Sequence, residues 1–233
     1  MKASVIIAAG GSGVRMGRKT PKAFLPLAGE PLFLHSVRIF ASVRLVHEII
    51  LVTPELWISR LEKRFGAVLS RFRVAKIVPG GARRQDSVRN GLRVVSPEST
   101  IALVHDAARP LVSPALIRRV AKAAQKQGAA VPGVPVLDTL KIVDSRKIVV
   151  QTPPRKQTWA AQTPQGIQIP LFLDAYRRAG RKEATDDVQI VERAGGKVVV
   201  VEGDPGNFKV TGPEDLARAA QILQNRKKTK YKL

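Results

Sequence analysis

The sequence "SVIIAAGGSGVRMG" spans residues 4–17 and joins an apolar run to a loop that contains four glycines. The β-branched run predicts a buried strand. A glycine-rich loop after a strand exposes backbone N–H groups that can surround a phosphate. Because Arg15 and nearby Lys22 add positive charge, the sequence predicts a polyphosphate site where the first strand ends.

Two familiar phosphate-binding loops do not fit the spacing. Gly11, Gly13 and Gly17 miss the dinucleotide pattern G-x-G-x-x-G by one residue. Gly17 is followed by Arg18, whereas a Walker loop needs lysine there. A loop for nucleotidyl transfer remains, and the alternative is a surface turn with solvated cations.

The rest of the chain alternates between strand-like and helix-like patterns. The predicted strands are 4–10, 48–54, 75–81, 101–110, 128–136 and 197–203. The predicted helices are 31–42, 55–66, 84–95, 113–127, 170–180 and 212–224. This alternation predicts an α/β fold with a Rossmann-like, mostly parallel, twisted sheet and helices on both faces.

One segment interrupts the alternation. The runs "LKIV" and "KIVVQT" flank Asp144–Arg146 and predict a β-hairpin arm at 137–158. A lone hairpin is marginally stable, so we expect the arm to pack on the body or on a second subunit. We expect a single domain over 1–225 and a basic, disordered tail over 226–233.

The composition excludes several classes of protein. The 233-residue chain has no cysteine, which excludes disulfides and thiolate catalysis, and no apolar stretch long enough to cross a membrane. The three histidines do not have the spacing of a metal site. The first strand leaves no room for a secretory signal, so we expect a cytoplasmic protein without a membrane partner.

The charge is unusual. Forty lysines and arginines against 18 acidic residues give a net charge of +22, which favours binding to polyanions. Weak, sequence-independent binding to nucleic acid is therefore expected, and a nucleic-acid-binding protein is an alternative function. An aromatic content of 5% gives little surface for stacking bases, which disfavours that alternative.

Further motifs follow the predicted strands. "GGARRQDSV" at 80–88 could read a base through backbone groups and a hydroxyl, although a tight turn is the ordinary interpretation. In "VHDAARP" at 104–110, Asp106 could lie near magnesium and Arg109 on a substrate phosphate, or the two could form a structural pair. Five shorter motifs are ordinary when taken alone: Asp138–Thr139, Arg155, 161–165, 185–187 and 207–211.

In this order, and together with "PKAF" and "LHSV", these motifs closely resemble the 2-C-methyl-D-erythritol 4-phosphate cytidylyltransferase family of the non-mevalonate isoprenoid pathway. The resemblance runs from residue 3 to about residue 224. It implies a fold of the nucleotide-diphospho-sugar transferase type, CTP and methylerythritol phosphate as substrates, and Mg²⁺. A related cytidylyltransferase that uses ribitol 5-phosphate is the alternative enzyme.

The resemblance also implies the roles of individual residues. The catalytic cations would be Arg15, Lys22 and Lys209. The residues on CTP would be Ala8, Ala9, Gly10, Gly11, Ser12, Gly13, Gly80, Gly81, Ser87 and Ala107. The residues on methylerythritol phosphate would be Asp106, Arg109, Thr139, Arg155, Thr163 and Lys209. Asp106 would also be the metal ligand, and the arm at 137–158 would form a homodimer.

Overall fold

The computed structural model describes residues 1–10, 20–178, 180 and 182–230. The strands are β1 (Ala3–Ala8), β2 (Pro26–Leu27), β3 (Glu30–Pro31), β4 (Val46–Thr53), β5 (Val74–Pro79), β6 (Ile101–Asp106), β7 (Ala129–Pro135), β8 (Ile142–Val143), β9 (Val149–Gln151), β10 (Trp159–Ala161), β11 (Gln165–Gln168) and β12 (Val198–Glu202). The helices are α1 (Leu32–Ala41), α2 (Ile58–Arg71), α3 (Arg84–Leu92), α4 (Pro114–Gln127), α5 (Ile169–Arg178), α6 (Asp187–Arg193) and α7 (Pro213–Lys230).

The central sheet is mostly parallel, as the alternation predicts. Strand β1 lies between β4 and β6, and β5 pairs with β4, all in parallel. Strand β11 is antiparallel to both β6 and β7, while β12 is parallel to β7. Parallel strands end at a common edge of the sheet, so the loops after β1, β5 and β6 meet there.

Helices cover both faces of the sheet. Along β1, Val5 and Ile7 pack toward one face and Ile6 toward the other, as the two-residue period of a strand requires. Helices α1, α2 and α4 contribute to the first core, and α3, α5 and α6 contribute to the second. Burial on both faces explains why β1, β4 and β6 are nearly continuous apolar runs.

Helix α7 packs on a third, smaller core. Val210 and Ala219 lie there with Leu27, Leu32 and Leu111. The helix continues to Lys230, so 226–230 differs from the disordered tail expected from the sequence. Lysine and arginine have high helix propensity, which lets an apolar-anchored helix extend into a polar segment. Residues 231–233 lie outside the described residues.

The segment predicted as a hairpin does form one. Strands β8 and β9 pair in an antiparallel manner, and the turn between them is held by two N–H groups that donate to Asp144 Oδ1. Large apolar side chains along the arm are exposed: Leu137, Leu140, Ile142, Val143, Ile148, Val149 and Val150. No described helix is both long enough and apolar enough to cross a membrane.

Candidate active site

A cavity of about 230 Å³ lies where the parallel strands end. Its walls include predicted residues from the loops after β1, β5 and β6 and from the approach to α7: Ala8, Ala9, Gly10, Lys22, Gly81, Ser87, Asp106, Ala107 and Lys209. Four other predicted residues, Gly11, Ser12, Gly13 and Arg15, lie outside the described residues. The sheet therefore brings together motifs that are almost 200 residues apart in sequence.

The turn after β5 requires glycine. A Cβ atom on Gly81 would lie 2.5 Å from the Cβ of Asp86, a distance that real side chains do not reach. The Gly81 N–H donates to Ser87 Oγ at 3.0 Å, and the Ser87 hydroxyl donates to the carbonyl of Arg83 at 3.2 Å. Gly80 donates its N–H to Thr53 O at 2.8 Å. Ser87 therefore shapes the turn whose backbone lines the cavity.

Asp106 ends β6 and lies between two cations. Arg84 Nε is 3.1 Å from Asp106 Oδ1, and Lys209 Nζ is 2.6 Å from Asp106 Oδ2. Burial alone would raise the pKa of Asp106, but Arg84 and Lys209 outweigh burial and hold the pKa well below its usual range. The Asp106 carboxylate is therefore ionised at neutral pH.

A second cavity of about 240 Å³ adjoins the first. Arg109 and Thr163, both predicted as substrate-binding residues, line it. Arg84, Asp106 and Lys209 line both cavities, so they form the boundary between the two. Two ligands that occupied the two cavities would meet at these three side chains.

The Arg109 guanidinium is tied to two backbone carbonyls. It donates to Asn207 O at 2.7 Å and to Ala161 O at 3.4 Å. Burial lowers the pKa of Arg109, and attraction to Asp106 opposes that effect. Arg109 thus bridges the loop before α7 and the end of β10 while it lines the second cavity.

His105 supports the site from inside the core. Its Nε2 lies 3.1 Å from Arg109 O, so this nitrogen must donate, and Nδ1 can accept from Thr163 Oγ1 at 3.0 Å. Thr163 Oγ1 in turn accepts the Asp106 N–H at 3.1 Å. Burial lowers the pKa of His105 to about 4, so the ring is neutral at pH 7.

Thr139 and Arg155, the remaining predicted substrate-binding residues, lie on the arm and line neither cavity of this chain. Both side chains are exposed, and Arg155 Nη1 donates to Leu137 O at 3.2 Å. The structure of one chain therefore brings Asp106, Arg109 and Thr163 together and leaves the two arm residues apart.

Comparison with known proteins agrees with this geometry. The family model described as 2-C-methyl-D-erythritol 4-phosphate cytidylyltransferase matches residues 3–225. The chain belongs to this family. It is 41% identical over 228 residues to the 2-C-methyl-D-erythritol 4-phosphate cytidylyltransferase of Alkaliphilus oremlandii, and the match covers 97% of each sequence.

Solved structures of the family share the fold. The crystal structure of 2-C-methyl-D-erythritol 4-phosphate cytidylyltransferase from Thermus thermophilus superposes with a TM-score of 0.77 at 37% identity, and covers 96% of this chain and 100% of that chain. The 4-diphosphocytidyl-2C-methyl-D-erythritol synthase from Anaerococcus prevotii gives a TM-score of 0.82 at 31% identity, with 96% of each chain covered.

The sequence assigns no individual role to three residues around this cytidylyltransferase-family site, Arg84, Gln165 and Asp187, although the last two lie in the motifs 161–165 and 185–187. Arg84 bridges the carboxylates of Asp106 and Asp187, and Gln165 accepts the backbone N–H groups of Asp187 and Val188. Arg84 follows the glycine turn directly, and that position is the one signal that could have separated it from a solvated arginine. The partners of Gln165 become visible only in the fold.

Proposed function

We propose that this chain transfers a cytidylyl group from CTP to 2-C-methyl-D-erythritol 4-phosphate and releases pyrophosphate. Membership of the family supports the reaction. The observation that carries the assignment of the site is the boundary of Arg84, Asp106 and Lys209 between two cavities. We assign CTP to the cavity lined by the β1 and β5 loops, and the polyol phosphate to the cavity lined by Arg109 and Thr163.

The chemistry needs cations more than it needs a general base. A phosphate monoester oxygen of the acceptor is already anionic near neutral pH and can attack the α-phosphorus of CTP. The new bond joins this oxygen to the α-phosphorus, while the bond from the α-phosphorus to the bridging oxygen breaks and pyrophosphate leaves. Arg15, Lys22 and Lys209 are the proposed cations that offset repulsion between the two anions.

Magnesium is the proposed cofactor, and the donor set permits it. Mg²⁺ is often bound by one or two carboxylates together with substrate phosphates. Asp106 is the carboxylate that lines the first cavity among the described residues, and it is ionised. The described residues contain no cluster of three potential ligands, so Asp106 would hold the ion together with the CTP phosphates. The ion would neutralise phosphate charge.

An assay with four arms tests the proposed reaction. The protein is incubated with Mg²⁺ and either CTP or UTP, together with either methylerythritol phosphate or ribitol 5-phosphate, and pyrophosphate is measured. We expect the highest kcat/KM for CTP with methylerythritol phosphate. Preferential use of ribitol 5-phosphate would favour the alternative enzyme, and equal use of UTP would contradict the assignment of the Gly80–Gly81 turn to the base. Removal of Mg²⁺ with a chelator should abolish turnover.

We further propose that the arm completes a homodimer. Its exposed apolar residues would be covered by a second subunit, which would lower the cost of leaving them in water. Thr139 and Arg155, which line neither cavity of their own chain, would then serve the partner's site. A cytoplasmic location is proposed because CTP is available there, and weak nucleic-acid binding is proposed from the net charge of +22.

A further inference from the structure

Arg84 connects the boundary of the two cavities to a carboxylate deeper in the protein. Its Nη2 is 2.8 Å from Asp187 Oδ2, and its Nε is 3.1 Å from Asp106 Oδ1. Arg84 begins α3, Asp106 ends β6, and Asp187 begins α6. One guanidinium thus fixes the relative positions of three separate elements.

Asp187 lies outside both cavities. Its side chain is fully buried, whereas Arg84 and Asp106 line both cavities. Asp187 Oδ1 is buried and has no hydrogen-bond partner among the described residues. Among the described residues, Arg84 is the cation that pairs with this carboxylate.

The backbone around Asp187 is held by Gln165 and Asp186. Gln165 Oε1 accepts the N–H groups of Asp187 at 2.9 Å and Val188 at 3.0 Å, and Gln165 Nε2 donates to Asp186 Oδ2 at 2.9 Å. Asp186 also caps α6, because its Oδ1 accepts the Gln189 N–H at 3.0 Å. Asp187 consequently presents its carboxylate to Arg84 from a backbone that is fixed at several points.

A buried ion pair is weak evidence for stability, because the desolvation of both charges offsets their attraction. Burial accordingly raises the pKa of Asp187, while Arg84 opposes that shift. The carboxylates of Asp187 and Asp106 more than offset burial at Arg84 and raise its pKa, so the guanidinium keeps its charge. An arrangement that is costly to bury and directed at the cavity boundary is better explained by orientation than by stability.

We infer that Asp187 is a positioning residue of the transfer reaction, which acts through Arg84 to hold the Asp106 carboxylate and the guanidinium at the boundary between the two cavities. The inference rests on the proposed function. With Asp187 present, two carboxylates bind the planar guanidinium. The fixed directions of its N–H donors then determine its orientation. Without that charge, Asp106 would be the remaining ion-pair partner of Arg84 among the described residues, and the guanidinium could rotate into either cavity.

The test uses the full-length protein with three variants. Asp187→Asn keeps the size of the side chain and removes its charge, whereas Asp187→Glu keeps the charge and adds a methylene. Val188→Ala is the matched control, because Val188 is the next residue on α6, is also buried, and packs in the hydrophobic core. Thermal unfolding of each variant shows how much stability it has lost.

We expect Asp187→Asn to lower kcat by about 10- to 100-fold and to change the KM for CTP by less than about threefold. Asp187→Glu should recover part of the loss in kcat. Val188→Ala should keep a near-normal kcat despite a lower melting temperature. Activity that followed the melting temperature across all three variants, instead of the charge at residue 187, would overturn the inference.

A second measurement does not depend on turnover. The NMR resonance of the Arg84 Nε–H group is assigned by its absence in Arg84→Lys. It should be sharp in the wild-type protein and in Val188→Ala. It should broaden or exchange with solvent in Asp187→Asn, and an unchanged resonance there would contradict the inference. If the wild-type protein releases no pyrophosphate, the proposed function fails while this measurement still tests the role of Asp187.

If Asp187→Asn does not fold, Asp187→Glu carries the test. A Glu variant that keeps kcat within about tenfold of wild type would support the role of the charge. A folded Glu variant without turnover, beside an active Val188→Ala, would overturn it.

Discussion

Lys209 is the residue whose removal tests whether positive charge at the boundary of the two cavities supports the transfer reaction. Its ammonium lies 2.6 Å from Asp106 Oδ2 on the boundary of both cavities. Lys209→Ala should lower kcat by about 100-fold, because a cation directed at developing phosphate charge contributes most in the transition state. Steady-state kinetics with CTP and methylerythritol phosphate measure the effect. Lys197→Ala, at an exposed position before β12, is the control and should leave kcat unchanged. Similar kinetics in the two variants would remove Lys209 from the proposed mechanism.

His105 should make the stability of the protein depend on pH. Its pKa is lowered by burial from 6.5 to about 4, so the unfolded chain binds a proton between these values while the folded protein does not. The neutral His105 ring therefore stabilises the folded protein in full above pH 6.5. The free energy of unfolding decreases by up to about 3 kcal/mol as the pH falls to 4.

Comparison with His105→Gln isolates this effect from other groups. Asp187 acts in the opposite direction, because burial raises its pKa and protonation then favours the folded state as the pH falls. Urea unfolding without Mg²⁺ at several pH values should give a steeper decline for wild type than for His105→Gln. Parallel curves for the two proteins would show that His105 does not titrate in this way.

At the level of elements, mixing two inactive variants tests whether the arm contributes to the partner's site. Arg155→Ala and Lys22→Ala homodimers should each be inactive if Arg155 serves the partner's site. A mixed dimer would contain one intact site, so an equal mixture should regain about a quarter of wild-type turnover. Pyrophosphate release after subunit exchange measures the recovery.

The matched control pairs Lys22→Ala with Lys209→Ala. Lys209 contacts Asp106 of its own chain, so neither site of that mixed dimer would be complete. Recovery in the control, or no recovery with Arg155→Ala after exchange has been demonstrated, would contradict a site shared across the dimer.

The elements also show how far the sequence predicts the structure. The apolar runs of β1, β4 and β6 predict a doubly covered sheet. The predicted helix at 113–127 is confirmed as α4, and the Leu116 N–H donates to its N-cap, Ser113 Oγ. The predicted strands do not include 159–161 and 165–168, where the structure has β10 and β11. Gln165 at the start of β11 is a polar side chain that is buried because it bonds to a distant element: its Nε2 donates to Asp186 Oδ2 at 2.9 Å.

In the site, too, the sequence predicts local features but not contacts between distant residues. Glycine turns and strand ends predict where ligands bind, because local backbone geometry requires those residue types. The link between Arg84 and Asp187 spans 103 residues of sequence. No local pattern distinguishes such a buried pair from two solvated charges, so the fold is needed to find it.

At the scale of the whole molecule, the net charge of +22 is larger than the reaction requires. The proposed chemistry uses six of the 40 lysines and arginines: Arg15, Lys22, Arg84, Arg109, Arg155 and Lys209. The remaining charge should attract nucleic acid by the release of counterions, without regard to sequence. Part of this charge can be removed by ending helix α7 after Arg226. Arg226 Nη1 donates to Leu111 O at 3.3 Å, and Leu223 is the last apolar contact of the helix among the side chains that the structure describes.

Deletion of 227–233 should therefore leave the fold and turnover nearly unchanged and weaken retention on single-stranded RNA at low salt. The deletion removes four lysines and lowers the net charge to +18. If each lysine contacts one phosphate, the magnitude of the slope of log K against log salt should decrease by about 3.

The matched control changes four cations of α2 to glutamine: Arg60, Lys63, Arg64 and Arg71. All four are exposed, and their loss gives the same net charge. Filter binding at several salt concentrations distinguishes the outcomes: a larger loss on truncation identifies the tail as the adhesive element, and equal losses assign the effect to total charge. Loss of turnover in a folded, truncated protein would instead place the end of α7 in the active site.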